Sequence, residues 1–379
     1  MALGRTQPPF RADHVGSLLR PPELLQAREE LEAGRLSAEE LRAAEDEAIR
    51  AAVRMQEDVG LQSATDGEFR RRSWLEDFVF QLGGVVPAGS SSAARASAAQ
   101  TPGRIDLGTA GSATLLRVED RVHLSHTIFA EDFEALAAMT TTSTPKLTIP
   151  SPSMVHYRGG RAAIDEDVYP DLDEFWIDLS AAYAAEIRGL AELGCTYLQL
   201  DDTSLAYVND PQQREHVARI GGDPERQHLT YIRQLNAALA GRPGHVTVTT
   251  HLCRGNLRSS WMAEGSYDFV AEPLFSELQV DGFFLEYDDE RSGGFEPLRF
   301  VPKGKVVVLG LVTSKFGELE DKDLLKRRIE EASRFVDLDQ LCLSPQCGFA
   351  SVLEGNQLTY EQQVAKLRLV VETAREVWG

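Results

Sequence analysis

The 379-residue chain is short of three things, and each shortage removes a class of protein. It has only four cysteines, Cys195, Cys253, Cys342 and Cys347, too few for the disulfide framework of a small secreted fold, so metal binding or plain burial is the expected use of its thiols. It has no long apolar run. The stretch "VVVLGLV" from Val306 is far shorter than a membrane span, and the opening "MALGRTQPPFRADH" lacks the apolar segment of a secretory signal, so a cytoplasmic protein that neither crosses nor enters a membrane is expected. Basic charge is scarce as well. With 39 Lys and Arg against 59 Asp and Glu, the formal charge of −20 sets nucleic acid and anionic membrane aside as partners, because both repel such a surface. What the chain does have is 42% hydrophobic residues, enough to bury a substantial core without staples.

Eight stretches rich in β-branched and aliphatic residues recur along the chain: "DHVGSLL" at Asp13, "LQSATDGE" at Leu61, "KLTIPSP" at Lys146, "TYLQLDD" at Thr196, "HVTVTTHLC" at His245, "GFFLEYDD" at Gly282, "KVVVLGLV" at Lys305 and "QLCLSPQCG" at Gln340. Amphipathic helical segments lie between several of them. "SAEELRAAEDEAIRAAVRMQEDVG" opens on Ser37 with Glu40 three residues on, a capping box, and closes on Gly60. Similar patterns begin at Asp173, Glu225, Glu320 and Thr359. Eight strands alternating with helices predict an α/β fold of the (βα)8 TIM-barrel type, a single catalytic domain over residues 1–379. A doubly wound open sheet would need a Gly-rich phosphate turn after its first strand, and "HVGSLLRPP" has none. The Gly/Ala/Ser-rich segment 83–104 reads as a flexible loop, a candidate lid. "ATLLRVEDRVHLSHTIF" then reads as a hairpin of two short strands around "EDR", inserted between the second and third barrel strands.

In such a barrel chemistry gathers at the strand ends. The fifth stretch ends in His251 and Cys253, the sixth in Glu286, and the eighth runs into Cys347. Two thiolates, an imidazole and a displaceable carboxylate make a sufficient set for a tetrahedral zinc ion. Singly, each has a plainer explanation: a His-x-Cys pair can be ordinary packing, and Glu286 can simply begin the acidic loop "EYDDER". Cys195 and Cys342, at the start and inside of their strands, read as buried small hydrophobes. Other strand ends suit an amino acid, with Glu68 and Asp201 for an ammonium group and the amides and hydroxyl at Gly16 and Ser17 for a carboxylate. "DGE" is also a common loop entrance, and the pair Asp201 and Asp202 also suits a helix cap.

Together "HLCRGN", the glutamate of "FFLEYDD" and "SPQCGF" resemble the zinc site of the cobalamin-independent methionine synthase family, in the order His-x-Cys, Glu, Cys. "HVGSLLRP", "DGEF" and "LQLDD" resemble that family's substrate-binding "IGS", "HGEF" and "IQIDE". The resemblance runs through nearly the whole chain but only to the catalytic half of the two-barrel enzyme. It implies a Zn2+ cofactor on His251, Cys253, Glu286 and Cys347, and homocysteine held by Ser17, Glu68 and Asp201. It also implies transfer of a methyl group to the homocysteine thiol, giving methionine. The departures fall on the donor side. Where the family places a proton-shuttling histidine after strand seven this chain reads "LGLVTSKFGELE", leaving Ser314 and Lys315 as candidate catalytic groups. Thr203 and Ser204 replace Pro and Ala, and "IPSPSMVHYRGG" replaces "GPVT", placing His156, Tyr157 and Arg158 as candidate donor contacts.

The partners implied are a small thiol and a methyl donor, either methyltetrahydrofolate or a methyl-corrinoid protein; a homo-oligomer is left open. Three alternatives remain. One is alkylation of another thiol, as in the epoxyalkane:coenzyme M transferases, although a sulfonate-bearing thiol would want cations where Glu68 and Asp201 stand. The second is a binding or scaffold barrel with structural zinc. The third, a metal-free decarboxylase of the uroporphyrinogen type, predicts no metal.

Overall fold

The structure, a computed structural model, describes residues 5–88, 103–105 and 116–379. Its strands are β1 (Ser63–Ala64), β2 (Gly83–Pro87), β3 (Leu116–His123), β4 (Thr144–Pro145), β5 (Leu147–Pro150), β6 (Tyr197–Asp202), β7 (Thr247–Leu252), β8 (Gly282–Glu286), β9 (Val306–Val312) and β10 (Leu341–Pro345). Strands β5 to β10 form a parallel sheet in sequence order, and β1 pairs in parallel with β4, immediately before β5. The sheet strands are buried on both faces, which is why they read as near-continuous apolar runs instead of alternating ones. Helices return the chain between them. The longest, Ala38–Val59, starts in the expected capping box of Ser37 and Glu40 and stops at Gly60, whose φ of 96° a side chain would resist. A second capping box, Thr359 with Gln362, opens the last helix, Tyr360–Trp378. Buried apolar side chains from Ala12 to Ala374 make one continuous cluster.

Several expectations need correction. The stretch at Asp13 forms no regular strand: it is tied to β10 by a single parallel bridge, Ala12 to Leu343, with the Asp13 amide donating to the Leu343 carbonyl at 3.0 Å. Asp13 explains this, because its carboxylate takes the amides of Phe10 (3.1 Å) and His14 (2.8 Å) for itself. On its other side the segment meets the β1 region through Ser63 Oγ to Asp13 Oδ1 (3.0 Å) and Thr65 Oγ1 to the Gly16 carbonyl (2.6 Å). The expected loop 83–104 begins instead as a strand: β2 pairs antiparallel with β3, Val85 opposite Val118. The expected hairpin around "EDR" is one strand, β3, with Leu116, Val118 and Val122 buried at even spacing. Composition hid this, because the valine pair in "GGVVP" was outvoted by its small neighbours. The remainder of the expected lid, 89–102, lies outside the described residues.

Parallel register sets the functional residues at one level. Asp201 on β6 lies opposite His251 on β7, and Glu286 closes β8 opposite Gly310 of β9.

Candidate active site

His251 is the penultimate residue of β7 and Cys253 follows that strand, two residues apart and so on one face of the chain. The Cys253 amide is held by the Asp202 carbonyl at 3.0 Å, extending the ladder one residue. Glu286 is the last residue of β8, and Cys347 lies two residues past the end of β10. All four are buried, and one donor atom from each comes within 4.8 Å of the others. His251 Nε2 lies 3.4 Å from Cys347 Sγ, which lies 3.5 Å from Cys253 Sγ. Metal bonds of about 2.0 Å to nitrogen and 2.3 Å to sulfur at tetrahedral angles require edges of roughly 3.3–3.8 Å, so the two edges at Cys347 already match such an ion and the remaining donors lie within 4.8 Å. Glu286 is pinned on one side only. Its Oε1 accepts from the Arg254 amide at 2.8 Å, while Oε2 is buried without a partner.

The electrostatics favour a thiolate. The Cys253 thiol and the His251 ring pull the Cys347 thiol down to about 5, against the penalty of burial. Its neighbour Cys253 is pushed well above the usual thiol range, first by that same contact and then by burial. The other two cysteines behave as the sequence suggests: Cys195 and Cys342 are buried, and burial pushes both up to about 12.

One cavity joins three of these donors to the acidic groups. Ser17, Glu68, Asp201, His251, Cys253 and Cys347 all line it, so four strand ends and the segment after Asp13 meet there, while Glu286 lies outside its wall. The two aspartates divide by strand alternation. Asp201 faces the cavity, whereas Asp202 accepts from Ser153 Oγ (2.6 Å), Ser204 Oγ (2.8 Å) and the Leu205 amide (2.8 Å) and caps the following turn. Burial pushes the Asp201 carboxyl up to about 7, with His251 pulling it back and Glu68 adding to the rise. Burial raises Glu68 too, against the nearby Arg71.

Glu68 is held in an unusual pose. Its φ is +61°, uncommon for a residue with a side chain, and Thr148 Oγ1 donates to its Oε1 at 2.9 Å. Arg71 in turn donates to Thr148 Oγ1 at 3.0 Å and to the Thr148 carbonyl at 2.8 Å, leaving Glu68 Oε2 buried and unpartnered. Neither Thr148 nor Arg71 was singled out from sequence. The signal was present: Lys146 and Thr148 are inward polar residues at period two, and Arg71 follows Glu68 by three.

Other sequence candidates are placed differently. Gly16 does not line the cavity; with φ +146° it lets the chain approach Thr148, whose Cγ2 would lie 2.8 Å from an added Cβ. Ser314 and Lys315 are buried outside the cavity wall. The Ser314 hydroxyl bonds Gln346 Oε1 (2.6 Å) and the Gly348 carbonyl (2.9 Å), steadying the loop that carries Cys347, while Lys315 Nζ is buried without a hydrogen-bond partner. His156 and Tyr157 belong to the helix Ser153–Tyr157 and face inward, His156 bonding Tyr231 Oη at 3.0 Å and Tyr157 bonding Gln213 at 3.0 Å. Only Arg158 of that trio lines the cavity.

Residues 10–376 match the family model described as the catalytic domain of cobalamin-independent synthase. The chain belongs to this family. The Bacillus subtilis protein YxjG is 48% identical over 100% of this chain and 97% of its own length. The methionine synthase of Pyrococcus abyssi is 25% identical over 96% of this chain and 92% of its own. Among solved structures, the putative vitamin-B12 independent methionine synthase of Listeria monocytogenes is 38% identical, covers 99% of this chain and 100% of its own, and superposes with a TM-score of 0.77. This cobalamin-independent synthase domain therefore shares an α/β fold of parallel strands with that protein. Among its described residues, no helix is long and apolar enough to cross a membrane.

Proposed function

We propose that the protein is a zinc-dependent S-methyltransferase that methylates homocysteine to methionine. The observation that carries this is a cluster of four donors from three separate strand ends, three of which, His251, Cys253 and Cys347, line a cavity that also presents Glu68 and Asp201. Structural zinc sites are closed and usually locally spaced, whereas this one opens onto a ligand cavity and includes a carboxylate bonded on one oxygen only. The family match and the methionine synthase name of the Pyrococcus relative support the same reading. So does the near-closure of the sheet through the Asp13 segment, which we take as a (βα)8 barrel forming one catalytic domain.

His251, Cys253, Glu286 and Cys347 would hold a zinc ion, which when bound would supply a soft Lewis acid able to lower a thiol's pKa while leaving its sulfur nucleophilic. The chain's own groups do the rest. Glu286, bonded through one oxygen to the Arg254 amide, would be the one oxygen ligand of the four and so the most weakly bound to a soft ion. Glu68 and Asp201 hold the ammonium group, with Arg71 and Thr148 fixing the Glu68 carboxylate. Ser17 and Gly348 line the cavity, and neither main-chain N–H has a partner among the described residues, which suits the substrate carboxylate. Trp74, Leu257 and Met262 keep water from the sulfur. Ser314 acts by holding the Cys347 loop, and Lys315 places a buried positive charge whose field reaches Cys253. The acid pair disfavours a sulfonate-bearing thiol.

Purified protein supplied with L-homocysteine and either 5-methyltetrahydrofolate or a methylated corrinoid protein should form methionine, and Cys347→Ser should not. Turnover of coenzyme M in place of homocysteine would refute the assignment of the acceptor.

A further inference from the structure

The ladder between β7 and β8 stops one residue short of Glu286. Its last pair is Leu252 opposite Leu285, and beyond it the Cys253 amide turns to Asp202 on β6. Glu286 therefore has no strand partner on its β7 side, while the next residue, Tyr287, points the other way and donates its amide to the Gly310 carbonyl of β9 at 2.9 Å. A main-chain N–H left open in this buried place would be costly. The Tyr267 hydroxyl fills the gap. It accepts from the Glu286 N–H at 3.0 Å and donates to the Glu286 carbonyl at 3.5 Å, so one side chain does for Glu286 what a strand does for its neighbours.

The same tyrosine has a second hold, on the carboxylate. Its ring faces the guanidinium of Arg254, with Cζ 4.3 Å from the centroid, and Arg254 is the residue whose main-chain N–H donates to Glu286 Oε1 at 2.8 Å. Arg254 is 1% exposed, and its three side-chain nitrogens are buried without a hydrogen-bond partner, so the ring face is what holds this cation. Other buried arginines differ: Arg20 donates to four main-chain carbonyls, and Arg71 holds Thr148 by two bonds. Neither Tyr267 nor Arg254 lines the cavity, so neither is placed to meet a substrate. Tyr287 gives a built-in comparison, because it packs on Tyr267 with centroids 5.4 Å apart yet its own hydroxyl is buried without a partner. We propose that Tyr267 is the positioning residue for Glu286, holding its main chain directly and its carboxylate through Arg254, and that this clamp sets how firmly the four donors keep their metal. This rests on the metal-site reading of His251, Cys253, Glu286 and Cys347 and goes beyond it by naming two residues outside the cavity that tune the site.

The test is the rate at which zinc-loaded protein gives up its ion to a chromogenic chelator. Wild type, Tyr267→Phe, Tyr287→Phe and Arg254→Met are compared, each alone and together with Glu286→Ala, with thermal midpoints taken on the metal-free forms. Y267F keeps the ring over Arg254 and removes only the hydroxyl. Groups that orient a metal ligand change metal affinity by about 10- to 100-fold, so Y267F and R254M should release zinc about tenfold faster than wild type, and Y287F within about twofold of it. Once Glu286 is alanine, all of these differences should vanish. R254M should also keep or raise the metal-free midpoint, because it removes a buried cation that has no hydrogen bonds; a looser metal would then accompany a firmer fold. Release at the wild-type rate in Y267F would overturn the proposal, and so would an equal acceleration in the E286A background, the mark of general loosening. Should Y267F not fold, R254M decides in its place, and a wild-type rate there overturns the clamp. Wild type that takes up no zinc would remove the metal-site reading and this proposal together, whereas wild type that holds zinc no more firmly than Y267F would remove this proposal alone.

Discussion

Replacing Thr148 by valine keeps the shape of the side chain and removes one oxygen, yet that oxygen serves two charged groups at once. Thr148 Oγ1 donates to Glu68 Oε1 at 2.9 Å and accepts from Arg71 Nη1 at 3.0 Å, with all three residues buried. Hydrogen bonds to charged groups contribute about 1.5–3 kcal/mol each, and buried groups stranded without partners incur the full desolvation cost. Glu68 would then keep no hydrogen bond, since Oε2 already lacks a partner and Oε1 would be left with only the Arg71 guanidinium 3.8 Å away. Losing a donor to the charged form raises a carboxyl pKa further, so less of Glu68 is ionised to hold an ammonium group. If roughly half of that loss appears in binding, the KM for homocysteine rises about 10- to 100-fold, since each 1.4 kcal/mol is a factor of ten. Zinc content should not change, because Thr148 touches no metal donor. Raising the pH should shrink the deficit as Glu68 ionises, because burial already holds its carboxyl above the usual range. Steady-state kinetics with homocysteine as the varied substrate, at several pH values, read the effect directly. A T148V enzyme whose KM stays within twofold of wild type would refute the assignment of Glu68 to the acceptor.

Three further outcomes follow from the same structure. Cys253→Ser or Cys347→Ser should fold with unchanged circular dichroism but fail to retain zinc through dialysis, as read by atomic emission. Glu186 is buried against the amides of Ile128 (2.8 Å) and Phe129 (3.4 Å), and burial pushes its carboxyl up to about 7. The folded state therefore binds more protons than the unfolded state between about pH 4.5 and 7, so this group lowers stability as pH rises through that window, by about 3 kcal/mol in all. Urea unfolding at pH 5 and 8 should show that loss in wild type and a smaller one in Glu186→Gln. Lys146 pairs with Asp13 at 3.3 Å with both side chains fully buried, so Lys146→Met should destabilise the fold by about 3–5 kcal/mol, measured by chemical denaturation.

Much of this site was legible because strand chemistry is local. His251 and Cys253 show as a pair because two residues along a strand return to one face, and Glu286 and Cys347 sit where their apolar runs stop. Residues that support the site were harder to see, because their partners are far away in sequence: Arg71 acts on Glu68 through Thr148, and Ser314 acts on the Cys347 loop through Gln346. Asp201 and Asp202 look alike in the sequence and diverge only once the strand's alternation sends one to the cavity and the other to a cap. The same limit applied to "DHVGSLL", where apolar composition suggested a strand but the Asp13 side chain captures the local amides, and to "GGVVP", where strand pairing depends on a distant partner, Val118 for Val85.

The central claim is that His251, Cys253, Glu286 and Cys347 form an open, thiol-accepting zinc site. Zinc stoichiometry with zinc-edge X-ray absorption, with and without L-homocysteine, tests it most directly. One zinc per chain with two sulfur ligands, rising to three on addition of homocysteine as the carboxylate leaves, is the predicted result. No zinc, or a coordination shell that homocysteine leaves unchanged, would contradict the account.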